Sequence, residues 1–514
     1  MKKRNDLKVV FKTYNQLQPM LLPPSLEELI APNHPVRVVN KVIDQLNIDP
    51  LINKYKAGGT SSFHPRMLLK VLVFAYINNI YSSRKIEEAL QQNIHFMWLS
   101  AMSTPDHNTI NRFRSDRLKD VLQQIFTQVV HLLVGEGLLN IKELYVDGTK
   151  IEANANRYTF IWGKSIKTNK EKIKQQLNEL WQYAQKVAAE EMNDTDPTDF
   201  DKIDADKVEQ TIQKINEALK EKPVDDKVKQ KLKYAQKNWP ANLKKYEQQE
   251  QIMGEQRNSY SKTDTDATFM RMKEDHMLNG QLKPAYNVQI SSNNQFIASY
   301  SIHQKTTDTN TLISHLTGYE EQYNQTPEVV VTDAGYGSEE NYTALEEKNI
   351  TAYVKHNQFD RQQSDNIQSK KPFTTDKLYY NKEKDCYYCP MGQAMENIGT
   401  STAQTSTGFK QTLTLYKAKN CNGCPMQGVC HKAKGNRTIE VNHNLNRLKA
   451  QANERLLSEQ GVHHRKKRCW DVEPVFANIK HNHNFRRFML RGKEKVSIEM
   501  GLLALAHNLR KKAA

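Results

Sequence analysis

Two short β-prone runs of this chain each end in an aspartate that is followed by a small residue. One run, 143–146, comes just before Asp147, and the other, 328–332, comes just before Asp333. The unbroken valines of the second run are typical of a strand buried on both faces, as in a parallel sheet covered by helices. Functional groups gather at the carboxyl ends of strands in α/β sheets. We therefore predict an α/β protein in which both aspartates belong to one site, although either alone could be an ordinary turn residue.

A long polar segment separates the two runs and predicts helices inserted into the sheet domain. Residues 164–253 have no glycine, are dominated by Lys, Glu, Gln, Ala and Leu, and carry 18 basic and 17 acidic residues. This pattern is typical of two or three long, solvent-exposed antiparallel helices. Turns are expected at the acidic stretch 193–199 and at the Lys-Pro pair 222–223. Strand patterns return at 285–290 and 295–302, and the residues between them give a hairpin signal.

The region before the first run, 26–137, is predicted to be helical. Apolar residues recur at helical spacing in 66–76, and the pattern resumes after a break at 104–109 with arginines interleaved, among them Arg112 and Arg114. Short helices that are joined by tight turns and rich in arginine are typical of DNA-contacting helical domains. A plain helical bundle is the alternative.

The charge of the chain favours a polyanionic partner. It holds 74 Lys and Arg against 58 Asp and Glu, a formal net charge of +16. Residues 461–514 alone hold 13 of the basic residues and only 4 of the acidic ones. Such a local excess favours nucleic acid first, with an unengaged basic surface as the alternative. No apolar run approaches the ~18 residues of a membrane span. No secretory signal or nucleotide-binding loop is recognisable, so secreted, membrane-spanning and nucleotide-driven proteins are not expected.

Five of the six cysteines lie between 386 and 430. They are too few for a disulfide scaffold, and clustered reduced thiols favour a metal site. Two Cys-x-x-Cys pairs that flank a β-prone stretch are typical of a zinc-ribbon-like tetrahedral site. A reduced cluster without metal is the alternative. The expected Zn²⁺ ligands are Cys386, Cys389, Cys421 and Cys424, with Cys430 or His431 able to replace one of them.

A third acidic candidate, Glu473, begins an amphipathic stretch. Because Pro474 is tolerated only near the first turn of a helix, the pattern predicts either a new helix with Asp471 as its N-cap or a kinked longer helix. Lys480 lies two turns further along much the same face. A carboxylate here can bind a cation while the lysine meets a phosphate. The helix dipole alone also favours a first-turn acid.

Together these motifs resemble bacterial insertion-sequence transposases of the DDE type, whose catalytic domain has the RNase H/retroviral integrase fold. The resemblance rests on Tyr-Val-Asp-Gly-Thr at 145–149, Val-Thr-Asp-Ala-Gly-Tyr at 331–336 and Val-Glu-Pro-Val-Phe at 472–476. It extends into the helical N-terminal region and to the C-terminal end. The further similar segments are 64–70, 106–113, 485–492 and 504–509.

The resemblance implies a catalytic triad of Asp147, Asp333 and Glu473 that holds two Mg²⁺ or Mn²⁺ ions. It also implies double-stranded DNA as the partner (the terminal inverted repeats and the target), a homodimer in the synaptic complex, and a bacterial cytoplasmic location. The implied activity is metal-dependent DNA strand cleavage and strand transfer. An RNase H-like nuclease without strand transfer and a catalytically silent DNA-binding regulator are the alternatives. The expected DNA contacts are Arg112, Arg114, Arg468, Lys480, Arg486, Arg487 and Arg491.

The predicted fold class is α/β, with an RNase H-like mixed-sheet catalytic domain that carries two insertions and follows an all-α domain. The predicted segments are a helical DNA-binding and dimerisation domain (1–138), the first part of the catalytic domain (139–163), the helical insertion (164–256), the second part of the catalytic domain (257–358), the cysteine-rich zinc-ribbon-like insertion (359–445) and the C-terminal part of the catalytic domain with its basic tail (446–514).

Overall fold

The computed structural model describes residues 25–55, 62–189, 203–255, 257–272, 280–363 and 373–514. Within these ranges helices are combined with a mixed β-sheet, so the predicted α/β class is confirmed at that level. The acidic stretch 193–199, where we expect a turn, lies outside the described residues.

Helices make up most of the described residues between 35 and 135, as the sequence predicts. They are α1 (Pro35–Gln45), α2 (Asp49–Ile52), α3 (Pro65–Ile77), α4 (Ser83–Gln92), α5 (Ile94–Leu99), α6 (His107–Arg112) and α7 (Leu122–Gly135). α3 begins where Pro65 occupies its first turn and the His64 ring accepts a hydrogen bond from the Arg66 N–H (3.2 Å). Most of its side chains are buried, and the helix forms the centre of this region.

A six-stranded sheet, called here the main sheet, forms the core of the chain. The strands up to residue 354 are β1 (Glu143–Glu152), β2 (Phe160–Trp162), β3 (Ser259–Ser261), β4 (Thr268–Arg271), β5 (Leu282–Asn293), β6 (Phe296–His303), β7 (Val329–Thr332) and β8 (Thr351–Val354). β1 pairs with β7 in parallel, as β7 does with β8, while β5 pairs antiparallel with β1, β4 and β6. β2 and β3 pair only with each other.

In the described part of the segment between β2 and β3 there are three long helices, where the glycine-free composition predicts helices. They are α8 (Gly163–Val187), α9 (Ala205–Ala218) and α10 (Asp226–Met253). Their apolar side chains, including Trp181 and Trp239, pack on one another and form a hydrophobic cluster distinct from that of the main sheet.

The cysteines lie on and beside a second sheet, called here the cysteine sheet, whose five strands are all antiparallel. Its strands are β9 (Tyr380–Asn381), β10 (Cys386–Tyr388), β11 (Ala394–Gln404), β12 (Lys410–Ala418) and β13 (Thr438–Val441). Its core is small and rich in tyrosine, with Tyr387, Met395 and Tyr416 at its centre. The β11–β12 hairpin reaches the main domain, where the Gln411 amide donates to the Glu339 carboxylate (2.9 Å).

Helices cover the main sheet and complete the chain. They are α11 (Leu312–Tyr323), α12 (Glu339–Glu347), α13 (Phe359–Gln362), α14 (His443–Leu457), α15 (Glu459–Asp471), α16 (Glu473–Ala477) and α17 (Lys493–Ala513). α17 is buried along most of its length and packs against both α3 and β6, so it joins the N-terminal helices to the main sheet. Among the described residues, no helix combines the length and apolarity needed to cross a membrane.

Candidate active site

The register of the main sheet brings Asp147 and Asp333 to the same level. β1 and β7 are parallel neighbours, and Tyr145 is paired with Val331. Two residues further along both strands, Asp147 therefore lies beside Asp333. Alternate residues of a strand share one face, so both aspartates project on the face that carries Tyr145 and Val331. This face, called here the Tyr145 face, packs under Val472 at the end of α15.

The surroundings of Asp147 disfavour its charged form. Burial raises the pKa of this carboxyl to about 6, and the nearby carboxylates of Asp333 and Asp308 act in the same direction. The Arg468 guanidinium and the Gly148 N–H, which donates to Asp147 Oδ1 (2.8 Å), oppose the rise. A cation placed beside these carboxylates would relieve both the repulsion and the cost of burial.

Arg468 of α15 lies over the aspartates. Its Nη1 atom is 3.3 Å from Asp147 Oδ2, and the two side chains are only 17% and 20% exposed. The same helix is attached to β1 by Lys467, whose Nζ is 2.9 Å from a Glu143 carboxylate oxygen, and by a bond of 2.9 Å between His464 Nδ1 and the Tyr145 hydroxyl. These contacts determine where the guanidinium is held.

Asp471 lies at the end of α15 and is not the N-cap of a new helix, which was one of the two predictions for this residue. Its buried carboxylate accepts hydrogen bonds from the N–H groups of Asn294 (2.8 Å) and Gln295 (3.0 Å) in the turn between β5 and β6. α16 follows almost directly with Pro474 in its first turn, which matches the kinked helix. The N-cap interpretation was wrong because a turn distant in sequence competes for this carboxylate.

Glu473 is exposed at the start of α16. Across the described ranges, no three or more His, Cys, Asp or Glu side chains are arranged so that they could hold a metal ion. Of the three predicted catalytic acids, Asp147 and Asp333 therefore lie side by side, and Glu473 lies at the start of α16.

The structure adds a fourth acid that the sequence patterns did not indicate. Asp308 lies behind β1, where its Oδ1 accepts from Asn287 Nδ2 (2.8 Å) and Gln289 Nε2 (3.0 Å). Asp308 stands in a polar loop and has no strand pattern of its own. The sequence signal that could have indicated a buried polar partner is the alternation of Asn287 and Gln289 with apolar residues in the middle of β5.

Arg114, which we predict to contact DNA, does not lie at the surface. The side chain lies in the interior, 3% exposed, and donates from Nη1 to the Tyr81 carbonyl (2.6 Å) and the Tyr76 hydroxyl (3.3 Å). Burial raises the pKa of the nearby Glu499 carboxyl, and the charge of Arg114 opposes part of that rise. Long-range packing of α17 against the N-terminal helices therefore makes Arg114 a structural cation.

The other predicted DNA contacts lie at or near the surface. Arg112, Arg486, Arg487 and Arg491 are exposed and Lys480 is half-buried. Arg487 and Arg491 also bond the loop after β1, with Nε to O distances of 3.2 Å to Ala153 and 2.8 Å to Asn154.

The cysteines surround a small cavity beside the cysteine sheet. It is about 50 Å³ in volume, and its thiol-bearing lining is Cys389, Cys421, Cys424 and Cys430, together with His431. Both ring nitrogens of His431 are buried without a hydrogen-bond partner. Arg437 Nη1 lies 2.8 Å from Cys430 Sγ. Cys386, which the predicted ligand set includes, belongs to β10 and does not line this cavity.

Two family models match the chain. One, described as a transposase DDE domain, matches residues 388–513, and the other, described as a transposase domain (DUF772), matches residues 24–116. No curated protein and no solved structure matches the chain. The DDE match indicates an enzyme of the nuclease or transposase type. The two matches together indicate an insertion-sequence DDE transposase, which confirms the resemblance seen in the sequence.

Proposed function

We propose that this protein binds the ends of an insertion sequence and catalyses metal-dependent cleavage and transfer of DNA strands. The observation that carries the proposal is the pair Asp147 and Asp333, level with each other on neighbouring parallel strands under the Arg468 guanidinium. As implied by the resemblance, we take the main sheet to be an RNase H-like core. Its three parallel strands, two of which carry the acids, support this assignment.

The two aspartates suit a hard divalent cation, because Mg²⁺ and Mn²⁺ prefer carboxylate oxygens and water. Burial and mutual repulsion of the carboxylates would both be relieved by a cation there. Two such ions would supply an activated attacking oxygen and stabilise the leaving oxygen of the phosphodiester. Glu473 remains the proposed third acid, because it begins the helix that directly follows the one carrying Arg468.

Arg468 is proposed to orient a DNA phosphate at the acids. In this structure its guanidinium pairs with Asp147, and the same planar fork suits the two oxygens of a phosphate. The exposed cations Arg112, Arg486, Arg487 and Arg491, with Lys480, would neutralise the flanking DNA backbone. We further propose a homodimer in the synaptic complex and action in the bacterial cytoplasm, where chromosomal DNA lies.

Cleavage of end DNA tests the proposal. The protein is incubated with duplexes that carry the element ends and with Mg²⁺, and the products are examined for 3′-OH cuts and for joining to a target plasmid. We expect Asp147→Asn, Asp333→Asn and Glu473→Gln each to lower cleavage by about 10³-fold or more, the several kcal/mol that metal assistance supplies. End binding, measured by fluorescence anisotropy, should remain.

The matched control is Glu494→Gln, an exposed acid at the start of α17, which should cleave normally. Normal cleavage by the Asp147 or Asp333 variant would contradict the proposed site, and normal cleavage by the Glu473 variant would remove that residue from it. Cutting without joining would favour a nuclease over a transposase.

We also propose that the cavity beside the cysteine sheet binds Zn²⁺. Four thiols and an imidazole with two unpartnered nitrogens line it, and thiolate with imidazole is the donor set that Zn²⁺ prefers. The side chains would have to turn toward one point, since they are not converged as they stand. Elemental analysis should find about one zinc per chain, by the arithmetic of one tetrahedral site. Cys421→Ser with Cys424→Ser should remove it, whereas Cys386→Ser should not, and folded protein without zinc would end the assignment.

A further inference from the structure

A chain of buried polar side chains lies behind the two aspartates, on the side of the main sheet opposite the Tyr145 face. Asn287 and Gln289 of β5 are completely buried. Buried amides are costly unless they are hydrogen-bonded. Both donate to one oxygen, Asp308 Oδ1, at 2.8 and 3.0 Å, and Gln289 Nε2 also donates to Asn287 Oδ1 (2.9 Å). The polar groups therefore satisfy one another and fix the orientation of each amide.

The other end of the Gln289 amide reaches the segment that carries the second aspartate. Tyr336, three residues after Asp333 and completely buried, donates its hydroxyl hydrogen to Gln289 Oε1. One amide thus connects β5, which is paired with the strand of Asp147, to the turn that begins at Asp333.

Gly148 provides the space through which this chain of bonds passes. A Cβ atom at this position would lie 2.6 Å from Asp308 Oδ1 and closer still to Gln289 Nε2. Atoms this close have to move, so an added Cβ would displace the Gln289 amide and the Asp308 carboxylate from their present positions. The residue beside Asp147 therefore has to lack a side chain for the amide of Gln289 and the carboxylate of Asp308 to meet behind β1.

A second set of bonds joins the two loops directly. The Thr309 hydroxyl donates to the Gly335 carbonyl (2.7 Å). The Asn341 amide donates to the carbonyls of both Thr309 and Tyr336, each at 2.8 Å. The loop that follows Asp308 and the loop that follows Asp333 are consequently held as one unit.

We propose that this network, defined by Asn287, Gln289, Asp308 and Tyr336, positions Asp147 and Asp333 relative to each other for divalent-cation binding. The inference rests on the proposed function and assigns these four residues as positioning residues, since none of them needs to touch the DNA. Groups that orient the ligands of a metal typically change its affinity by about 10–100-fold when they are removed. This network reaches the two aspartates through the backbone of β5, which pairs with β1, and of the turn that begins at Asp333.

Mn²⁺ binding and DNA cleavage test the inference together. Binding of Mn²⁺ to the full chain is followed by the loss of the free-ion electron paramagnetic resonance signal, and the Mn²⁺ concentration for half-maximal cleavage is measured separately. We expect Tyr336→Phe and Gln289→Leu to weaken Mn²⁺ binding by about 10–100-fold and to raise the concentration needed for cleavage equally. End-DNA binding without metal should not change.

Ser291→Ala is the matched control. Ser291 lies on the same strand and the same side as Gln289, is equally buried, and bonds His315 Nε2 (2.6 Å) instead of the network. It should lower the melting temperature without changing Mn²⁺ affinity, which separates positioning from stability. Tyr336→Phe keeps the ring and removes only the hydroxyl. It therefore still tests the network if Gln289→Leu does not fold.

The outcomes separate this inference from the proposed function. If Asp147→Asn loses Mn²⁺ binding while Tyr336→Phe and Gln289→Leu bind as the unaltered protein does, the positioning network is overturned and the proposed function stands. If Asp147→Asn itself binds Mn²⁺ normally, the aspartates are not the cation site and both proposals fall.

Discussion

The main sheet and the cysteine sheet hold potential metal ligands in opposite ways. Asp333 directly follows β7, as the sequence predicts, whereas Asp147 lies within β1, because pairing with β5 continues that strand to Glu152. The core around these parallel strands is continuous with the N-terminal helices. The cysteines lie beside a sheet with a small separate core and a β11 strand that is exposed along most of its length. A large core can hold side chains in place by packing, whereas a small one usually needs a cross-link or a metal. Metal at the aspartates would therefore bind to a structure that is already folded, whereas metal at the cysteines would itself stabilise the fold.

The largest expected effect is the loss of the cysteine sheet alone. Zinc binding contributes about 10–16 kcal/mol in small zinc-dependent domains, so Cys421→Ser with Cys424→Ser should unfold this sheet. Limited proteolysis should then cut within residues 373–441, while a fragment containing the main sheet survives. The control is Cys469→Ser, because that thiol is exposed on α15 and distant from the cluster in sequence. An unchanged digestion pattern would show that both sheets are stable by packing alone.

A smaller effect, on the rate of DNA cleavage, is expected when a methyl group is added at Gly148, behind Asp147. Gly148→Ala should lower cleavage by about 10–100-fold, because the new Cβ separates Gln289 from Asp308. Gly318→Ala in α11 is the control, since no atom lies within 4 Å of its added Cβ and alanine suits a helix. Initial cleavage rates at saturating DNA measure both variants. Equal rates would mean that the main sheet tolerates displacement of its acids.

The two regions should also differ in how they contribute to DNA binding. Arg486→Ala with Arg491→Ala removes two exposed cations near the end of β1, and the slope of log affinity against log salt should fall by about 2, at about 0.9 for each phosphate contact. Lys382→Ala with Lys384→Ala removes two exposed cations of the cysteine sheet and should leave the slope unchanged. A reversed result would assign the DNA-binding surface to the cysteine sheet.

The smallest expected effect concerns acid stability of the core around the main sheet. Burial lowers the pKa of His315 to about 3 and those of His483 and His507 to about 4. A histidine kept neutral by folding stabilises the protein fully above its unfolded pKa of about 6.5. This contribution is lost as the pH falls toward the folded pKa, because the unfolded chain binds protons first. Between pH 7 and 5, the loss is about 2 kcal/mol for one such group.

His507→Gln should reduce the fall in unfolding free energy between pH 7 and 5 by about that amount, as measured by urea titration. The glutamine amide can replace the bond between His507 Nε2 and the Gln295 carbonyl. His463→Gln is the control, because this histidine is exposed on α15. The same fall in all three proteins would mean that other groups control the acid stability of the core.

Features that follow from a local residue pattern could be predicted before the structure was known. The valine run before Asp333 could only be satisfied as a buried strand, and the glycine-free stretch 164–253 has the composition of exposed helices. The motifs around Asp147, Asp333 and Glu473 were enough to indicate the transposase class, which the family matches confirm. The zinc site and the catalytic roles remain predictions.

Which side chains meet depends instead on contacts between elements that are far apart in the sequence. The burial of Arg114 depends on Tyr76, Tyr81 and the C-terminal helix α17, which is nearly four hundred residues away along the chain. The meeting of Asp308 with Gln289 depends on the pairing of β5 with β1 and on the missing side chain of Gly148. A periodic pattern specifies which face of an element is apolar, because that follows from the local backbone repeat. It does not specify which distant element packs against that face. In this protein, the packing of distant elements determines the partners of charged groups such as Arg114 and Asp308.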